Sequence, residues 1–275
     1  PEQIRGALNW TYQEQLFTRG DTRGHWWSPD GSSIAFLELS EAGVDRVWLV
    51  GDTPQKPLAR SRCRPLPGGR IPGARVGVVP AAGGAVTWFD LSEALPGTGP
   101  GERLLVGGSR WCRDGRHLVV QVANRQQDRL AVLLGDTGSG ALERIYMEPA
   151  SVGLANGEGS GPAIRASSIH ELVDGSLVIT SDRSGYRHLY QQPPKSVDGR
   201  GWPPLVSLTD GPWHVHQVVD VEPAGIAWLV TDRHGPLGRW LDRRDLPTGE
   251  LTRITRGPGV HQVHLAPDHS LLDLM

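Results

Sequence analysis

The chain is short of cysteine, of excess charge of either sign, and of long apolar or helix-periodic runs. Cys63 and Cys112 are its two cysteines. They are too few for a disulfide scaffold and leave the redox compartment undecided. A formal net charge of −2 provides no concentrated basic surface of the kind a nucleic-acid backbone selects, so nucleic acid is not an expected partner. No apolar run approaches the roughly 18 residues of a membrane-spanning helix. No signal peptide begins at Pro1, which fits a soluble domain with no membrane segment, cytoplasmic or periplasmic. Pro1 is not an encoded initiator, so further sequence is expected upstream. Nor does any window sustain 3.6-residue apolar periodicity over about ten residues, which argues against long helices.

What is abundant is turn chemistry. The 36 glycines and 22 prolines, set against 21% charged residues, favour many short strands. Trp26-Trp27-Ser28-Pro29-Asp30-Gly31 ends one strand, turns tightly and feeds Ile34-Ala35-Phe36-Leu37. Degraded copies recur. Cys112-Arg113-Asp114-Gly115 runs into Leu118–Val122, Val173-Asp174-Gly175 into Leu177–Thr180, Pro223-Ala224-Gly225 into Ile226–Leu229, and Pro267-Asp268 into Leu271-Leu272. Hairpins repeated at irregular intervals predict an all-β chain, a β-propeller of four-stranded antiparallel blades.

Residues 1–275 read as a single propeller region with about four to five blades represented. The first blade uses Trp26–Ser28, Ile34–Leu39, Ala74–Val79 and Ala85–Phe89. An insertion at about 41–72 carries an extra strand-like segment, Arg46–Val50. The second blade uses Arg103–Trp111, Leu118–Val122, Arg129–Leu134 and Ala141–Tyr146. The third runs from Ser168 to Leu208 with a Pro/Gly-rich excursion at 193–204, and the fourth from His216 to Thr255. Val263–Leu274 supplies half of a fifth, whose open edges imply missing chain or an incomplete ring. Residues 151–162, rich in Gly and Ser, read as a loop. A second repeat supports the division: Leu208-Thr209-Asp210-Gly211-Pro212 before Val215–Val218 is echoed by Ile254-Thr255-Arg256-Gly257-Pro258 before Val260–Val263.

Catalytic chemistry is sparse. The Gly-x-Ser-x-Gly elbow of α/β-hydrolases does not occur; Ser32 and Ser33 sit in a hairpin, Ser139 and Ser160 in Gly-rich loops, and no serine nucleophile is expected. His214 and His216 share one face of an extended strand, but neither they nor His261 and His264 come with a carboxylate cluster, so no metal and no cofactor is expected. The ten tryptophans read as core plugs and blade contacts. Arg60, Arg62, Arg64 and Arg70 form a basic stretch broken by Pro65, Pro67 and Gly68-Gly69, which reads as a solvated loop.

The segment Asn9-Trp10-Thr11-Tyr12-Gln13-Glu14-Gln15-Leu16-Phe17, the Trp26–Gly31 motif, Ser181-Asp182-Arg183-Ser184-Gly185-Tyr186-Arg187-His188-Leu189-Tyr190 and Leu208–Trp213 together resemble the dipeptidyl peptidase IV family of serine peptidases, specifically its amino-terminal eight-bladed propeller. The resemblance runs across essentially the whole chain and makes this propeller partial relative to the family's. It implies a separate carboxyl-terminal α/β-hydrolase domain, missing here, with a Ser-Asp-His triad that releases dipeptides with proline or alanine in second position. It also implies that the segment matching Tyr12–Phe17 binds the protonated amino terminus of the peptide substrate. Glu14 matches the first of two recognition glutamates. Gln15 stands in place of the second, and Gln13 in place of the glutamate that often precedes them. One carboxylate can pair with an ammonium, while the second charge-assisted bond is lost. The resemblance further implies a homodimer contact through an extended arm at the 41–72 insertion. The competing expectation is a non-catalytic propeller that binds a peptide or protein.

Overall fold

The computed structural model describes residues 3–17, 22–51, 58–99, 101–148, 169–196, 201–266 and 269–274. The Gly/Ser-rich segment 151–162 with Ser160, residues 197–200 of the Pro/Gly-rich excursion, and the Pro267-Asp268 turn lie outside them. The chain is almost entirely β and divides into two compact units. Among the described residues, one holds those up to Met147 and the other those from Glu148 onward. Among the described residues no helix is long and apolar enough to cross a membrane.

In the first unit, β1 (Gln3–Arg5), β2 (His25–Trp27), β3 (Ser33–Ser40), β6 (Gly73–Pro80) and β7 (Thr87–Phe89) form an antiparallel sheet. Both β1 and β2 pair with the same edge of β3, β1 against Glu38–Ser40 and β2 against Ile34–Phe36. Because β3 pairs directly with β6, from Ser33↔Pro80 to Ser40↔Gly73, the intervening residues leave the sheet. They carry a separate hairpin, β4 (Arg46–Gly51) with β5 (Leu58–Cys63). Arg60 and Arg62 therefore lie in a strand, not in the solvated loop expected of them; cross-strand pairing with β4 overrides their weak apolar pattern. The second sheet of this unit has the order β8 (Leu105–Trp111), β9 (His117–Ala123), β10 (Leu130–Asp136), β11 (Leu142–Glu148).

The second unit holds two more four-stranded antiparallel sheets. The first comprises β12 (Ile169–Glu171), β13 (Leu177–Ser181), β14 (His188–Gln192) and β15 (Val206–Ser207). The second comprises β16 (Val215–Glu222), β17 (Ile226–Thr231), β18 (Trp240–Asp245) and β19 (Leu251–Arg253). A hairpin of β20 (Gln262–Leu265) and β21 (Leu271–Leu274) follows. The fold class is all-β, built from antiparallel sheets of the propeller-blade kind and smaller than a full eight-bladed ring.

The inner strands are apolar because both of their faces are covered. Every residue of β9 after His117 is buried, and burial of each Val or Leu there is worth about 1.5–3 kcal/mol. Leu172, Val178, Leu189, Val215, Ala227 and Leu229 form the core of the second unit. The recurrent hairpin has one physical cause. At Ser28–Ser33 the Asp30 carboxylate accepts from Ser28 Oγ at 2.6 Å, Ser32 N at 3.0 Å and Ser32 Oγ at 2.9 Å. Gly31 takes φ +72°, a left-handed conformation open to glycine without a Cβ penalty. Asp114-Gly115 and Asp174-Gly175 repeat that arrangement.

Candidate functional site

The segment between β1 and β2 leaves the sheet through a narrow neck. Gly6 N donates to Leu37 O, Leu37 N to Gly24 O, Gly24 N to Gly6 O and Leu8 N to Thr22 O, all within 2.8–3.1 Å. Ala7 and Arg23 close the neck as an antiparallel bridge. Beyond it the chain makes the main departure from the all-β expectation, a helical turn begun at Trp10 and continued as a π-helical stretch, Tyr12–Leu16. Five residues are too few to leave an apolar period in the sequence, so pattern reading could not see it.

Local hydrogen bonds set the turn. Buried Asn9 caps it, its Oδ1 accepting from Tyr12 N at 3.1 Å while Gln13 N donates to Asn9 O at 3.0 Å. Asn9 Nδ2 also donates to Glu41 Oε1 at 3.1 Å. The turn then widens, with Phe17 N reaching back five residues to Tyr12 O at 2.8 Å, the spacing of a π-bulge, a form frequent at functional sites. Gln13 is taken up by structure, donating through Nε2 to Leu8 O at 2.7 Å. Tyr12 is fully buried, and its hydroxyl accepts from Val106 N at 3.2 Å. Burial pushes the Tyr12 phenol well above its ordinary pKa, and the Val106 bond only partly offsets this. On the outer side, the Arg64 guanidinium lies 4.9 Å from the Trp10 ring centroid.

Glu14 and Gln15 therefore occupy successive positions of one anchored turn. Glu14 is half-buried, and the Gln15 side chain lies outside the described residues. Sequence reasoning missed Asn9 as the anchor, although an Asn three residues ahead of Tyr12 is an N-cap signal.

The remaining sequence candidates fall in the second unit. His214 and His216 have ring centroids 5.8 Å apart, and they do have a carboxylate in common: Asp232 Oδ1 accepts from His214 N at 2.6 Å and its Oδ2 lies 3.0 Å from His216 Nε2. The His214 contact runs through its backbone N–H, so one carboxylate faces one imidazole and no cluster forms among the described residues; Asp232 follows β17, and the pairing of β16 with β17 brings it near. Burial lowers the His216 pKa, with Asp232 opposing. A second pair, buried Asp242 with His234 at 2.9 Å, also receives the Thr231 hydroxyl. Among the described residues no group of three or more His, Cys, Asp or Glu side chains is arranged to hold a metal ion.

A family model described as "Dipeptidyl peptidase IV (DPP IV) N-terminal region" matches residues 2–273. The chain is similar to the "Probable dipeptidyl peptidase 4" of Emericella nidulans, 26% identical over 266 residues that cover 92% of this chain and 32% of that protein. It is also similar to the "Probable dipeptidyl-aminopeptidase B" of Aspergillus oryzae, 27% identical over 282 residues, 94% of this chain and 29% of that protein. The chain thus spans about a third of the length of these curated relatives. Among solved structures, Porphyromonas gingivalis dipeptidyl peptidase 4 superposes with a TM-score of 0.79 at 16% identity, covering 99% of this chain and 36% of that one. At that identity the likeness speaks for the fold alone.

Proposed function

The chain belongs to the dipeptidyl peptidase IV N-terminal region family, and from that premise we propose that it is the substrate-recognition and gating propeller of a dipeptidyl-peptidase-like serine hydrolase that releases amino-terminal dipeptides. The nucleophile is supplied by a carboxyl-terminal α/β-hydrolase domain outside this chain. The observation that carries the reading is Glu14, half-buried on a turn fixed by Asn9 and Tyr12. A carboxylate on such a fixed element is suited to pair with a substrate ammonium, because little backbone freedom remains to be lost on binding.

The test uses the full-length protein. Glu14→Gln should lower kcat/KM for a free-amine dipeptide substrate by roughly 10- to 100-fold, the range of a desolvated charged hydrogen bond of about 1.5–3 kcal/mol. An amino-blocked analogue should change much less. Gln15→Glu should raise free-amine selectivity if both positions address one pocket. Equal losses on both substrates with Glu14→Gln would reject the assignment.

Gln15 in place of a second carboxylate favours one other reading, a non-catalytic propeller that binds a peptide or protein. Under that reading the full-length protein retains a partner on purification from native material and turns over no dipeptide substrate.

The β4–β5 hairpin supports a further element of the proposal, a homodimer arm. It stands apart from the β1–β3–β6–β7 sheet and exposes Trp48 (69%) and Val50 (73%) to solvent, apolar surface of a kind that partner contacts cover.

A further inference from the structure

Arg70 does not remain with the basic stretch in which the sequence places it. It lines a cleft of about 430 Å³ in the first unit together with Arg103 and Arg125, two arginines distant in sequence. Elsewhere the described arginines commonly meet carboxylates: Arg5 and Arg75 with Glu38, Arg116 with Asp136, Arg187 with Asp182. These three form no ion pair among the described residues. Arg103 donates through Nη1 to Ile71 O at 2.7 Å and through Nη2 to Ala42 O at 2.9 Å, and Arg125 donates through Nη1 to Gly69 O. Neutral carbonyls hold these two guanidiniums in place without cancelling their charge. Each guanidinium has five N–H donors, so most remain open, and Arg70 makes no hydrogen bond within the described chain.

Glu102 brings the one carboxylate of the lining, and it is engaged, its Oε2 accepting from Gly99 N at 3.1 Å. Three guanidiniums of the lining stand against that carboxylate and against Asp45, whose Oδ2 lies beside Gly69 and accepts from Leu66 N at 3.3 Å, so the cleft stays net positive. The walls are open where an anion would enter, since Gly68 and Gly101 face empty space and present no side chain.

We propose that this cleft is a binding site for a doubly charged oxyanion, inorganic phosphate or a phosphate monoester. The net positive lining attracts an anion, and planar guanidinium forks match the oxygen geometry of phosphate. Preplacement of Arg103 and Arg125 lowers the ordering cost of binding. Burial, followed by the repulsion of Arg70, holds Arg103 below its ordinary pKa, a repulsion that a bound dianion relieves. The site is independent of the Glu14 reading, because it uses none of the residues of the helical turn.

Calorimetric titration of the full-length protein with inorganic phosphate at low ionic strength should give saturable one-to-one binding. Sulfate should compete, and acetate at matched ionic strength should not. Arg70→Gln, at an exposed position without hydrogen bonds to lose, should weaken phosphate roughly tenfold or more. Phenyl phosphate binding as tightly as inorganic phosphate identifies a monoester ligand, and its exclusion identifies free phosphate; either supports the site. Absence of saturable binding, equal affinity in Arg70→Gln and wild type, or displacement of phosphate by equimolar acetate would overturn it.

Discussion

Replacing Tyr12 with Phe removes one oxygen from the most enclosed point of the helical turn. The ring keeps its packing, with the Phe17 ring centroid 6.2 Å away, but Val106 N–H loses the acceptor it now has at 3.2 Å. Val106 is paired with Val122 on β9 and lies on β8, the edge strand of its sheet, so among the described residues no second strand pairs with β8 to take over the bond. A buried N–H left without an acceptor costs about 1–3 kcal/mol. The Phe variant also escapes the desolvation of a phenol, which puts the expected net loss near the lower half of that range. Calorimetric unfolding at neutral pH should show a midpoint about 2–4 °C lower per kcal/mol lost.

The pH dependence gives an independent check. Tyrosine in the unfolded chain ionises near pH 10, whereas burial keeps folded Tyr12 neutral well beyond that. Above about pH 10 the unfolded state binds fewer protons than the native one, so stability falls as pH rises. Tyr12→Phe should lose this group's share of the alkaline fall, making the gap between variant and wild type narrow above pH 10. A variant as stable as wild type at pH 7, or a gap that stays constant to alkaline pH, would refute the account of this buried hydroxyl.

Hydrogen bonds from Ser28 Oγ and then from Ser32 lower the Asp30 pKa to about 2. The stabilisation is present above the ordinary carboxylate range and lost as pH falls through about 2; a carbon-13 titration of the carboxyl should place its midpoint there, and Ser28→Ala should raise it. Deleting residues 44–69, which removes the β4–β5 hairpin with exposed Trp48 and Val50, should weaken self-association of the full-length protein in sedimentation equilibrium, and an unchanged dimer would count against the arm.

The blades were legible where local rules and packing agree. Leu118–Val122 lies within β9, and the expected strand Arg129–Leu134 falls in β10 from its second residue on, because continuous apolar runs bounded by Asp-Gly or polar turns have few other solutions. Three-residue β1 carries no pattern of its own and exists because β3 offers it an edge. Polar β5 exists because β4 does. The site divides in the same way. Glu14 could be located from the order of a motif, but Glu41 and Val106, which hold the turn beneath it, come from 32 and 94 residues away in the chain. The convergence of Arg70, Arg103 and Arg125 is equally a product of folding, since β6 and β7 separate the first from the second and β8 and β9 separate the second from the third.

The neck at Ala7 and Arg23 makes the helical turn an exchangeable cassette. Both ends of the excursion are hydrogen-bonded to each other and to Leu37 on β3, so the sheet registers on either side are fixed before the chain enters the loop and again after it leaves. Residues may be added, removed or replaced past the neck without shifting β1 or β2 by a single pairing, and a register slip is the error that would turn a strand's buried face outward. Positions 14 and 15 can therefore change while the strand pairings beneath them stay constant, and a turn from a relative, cut between positions 8 and 22, is the natural unit to transplant.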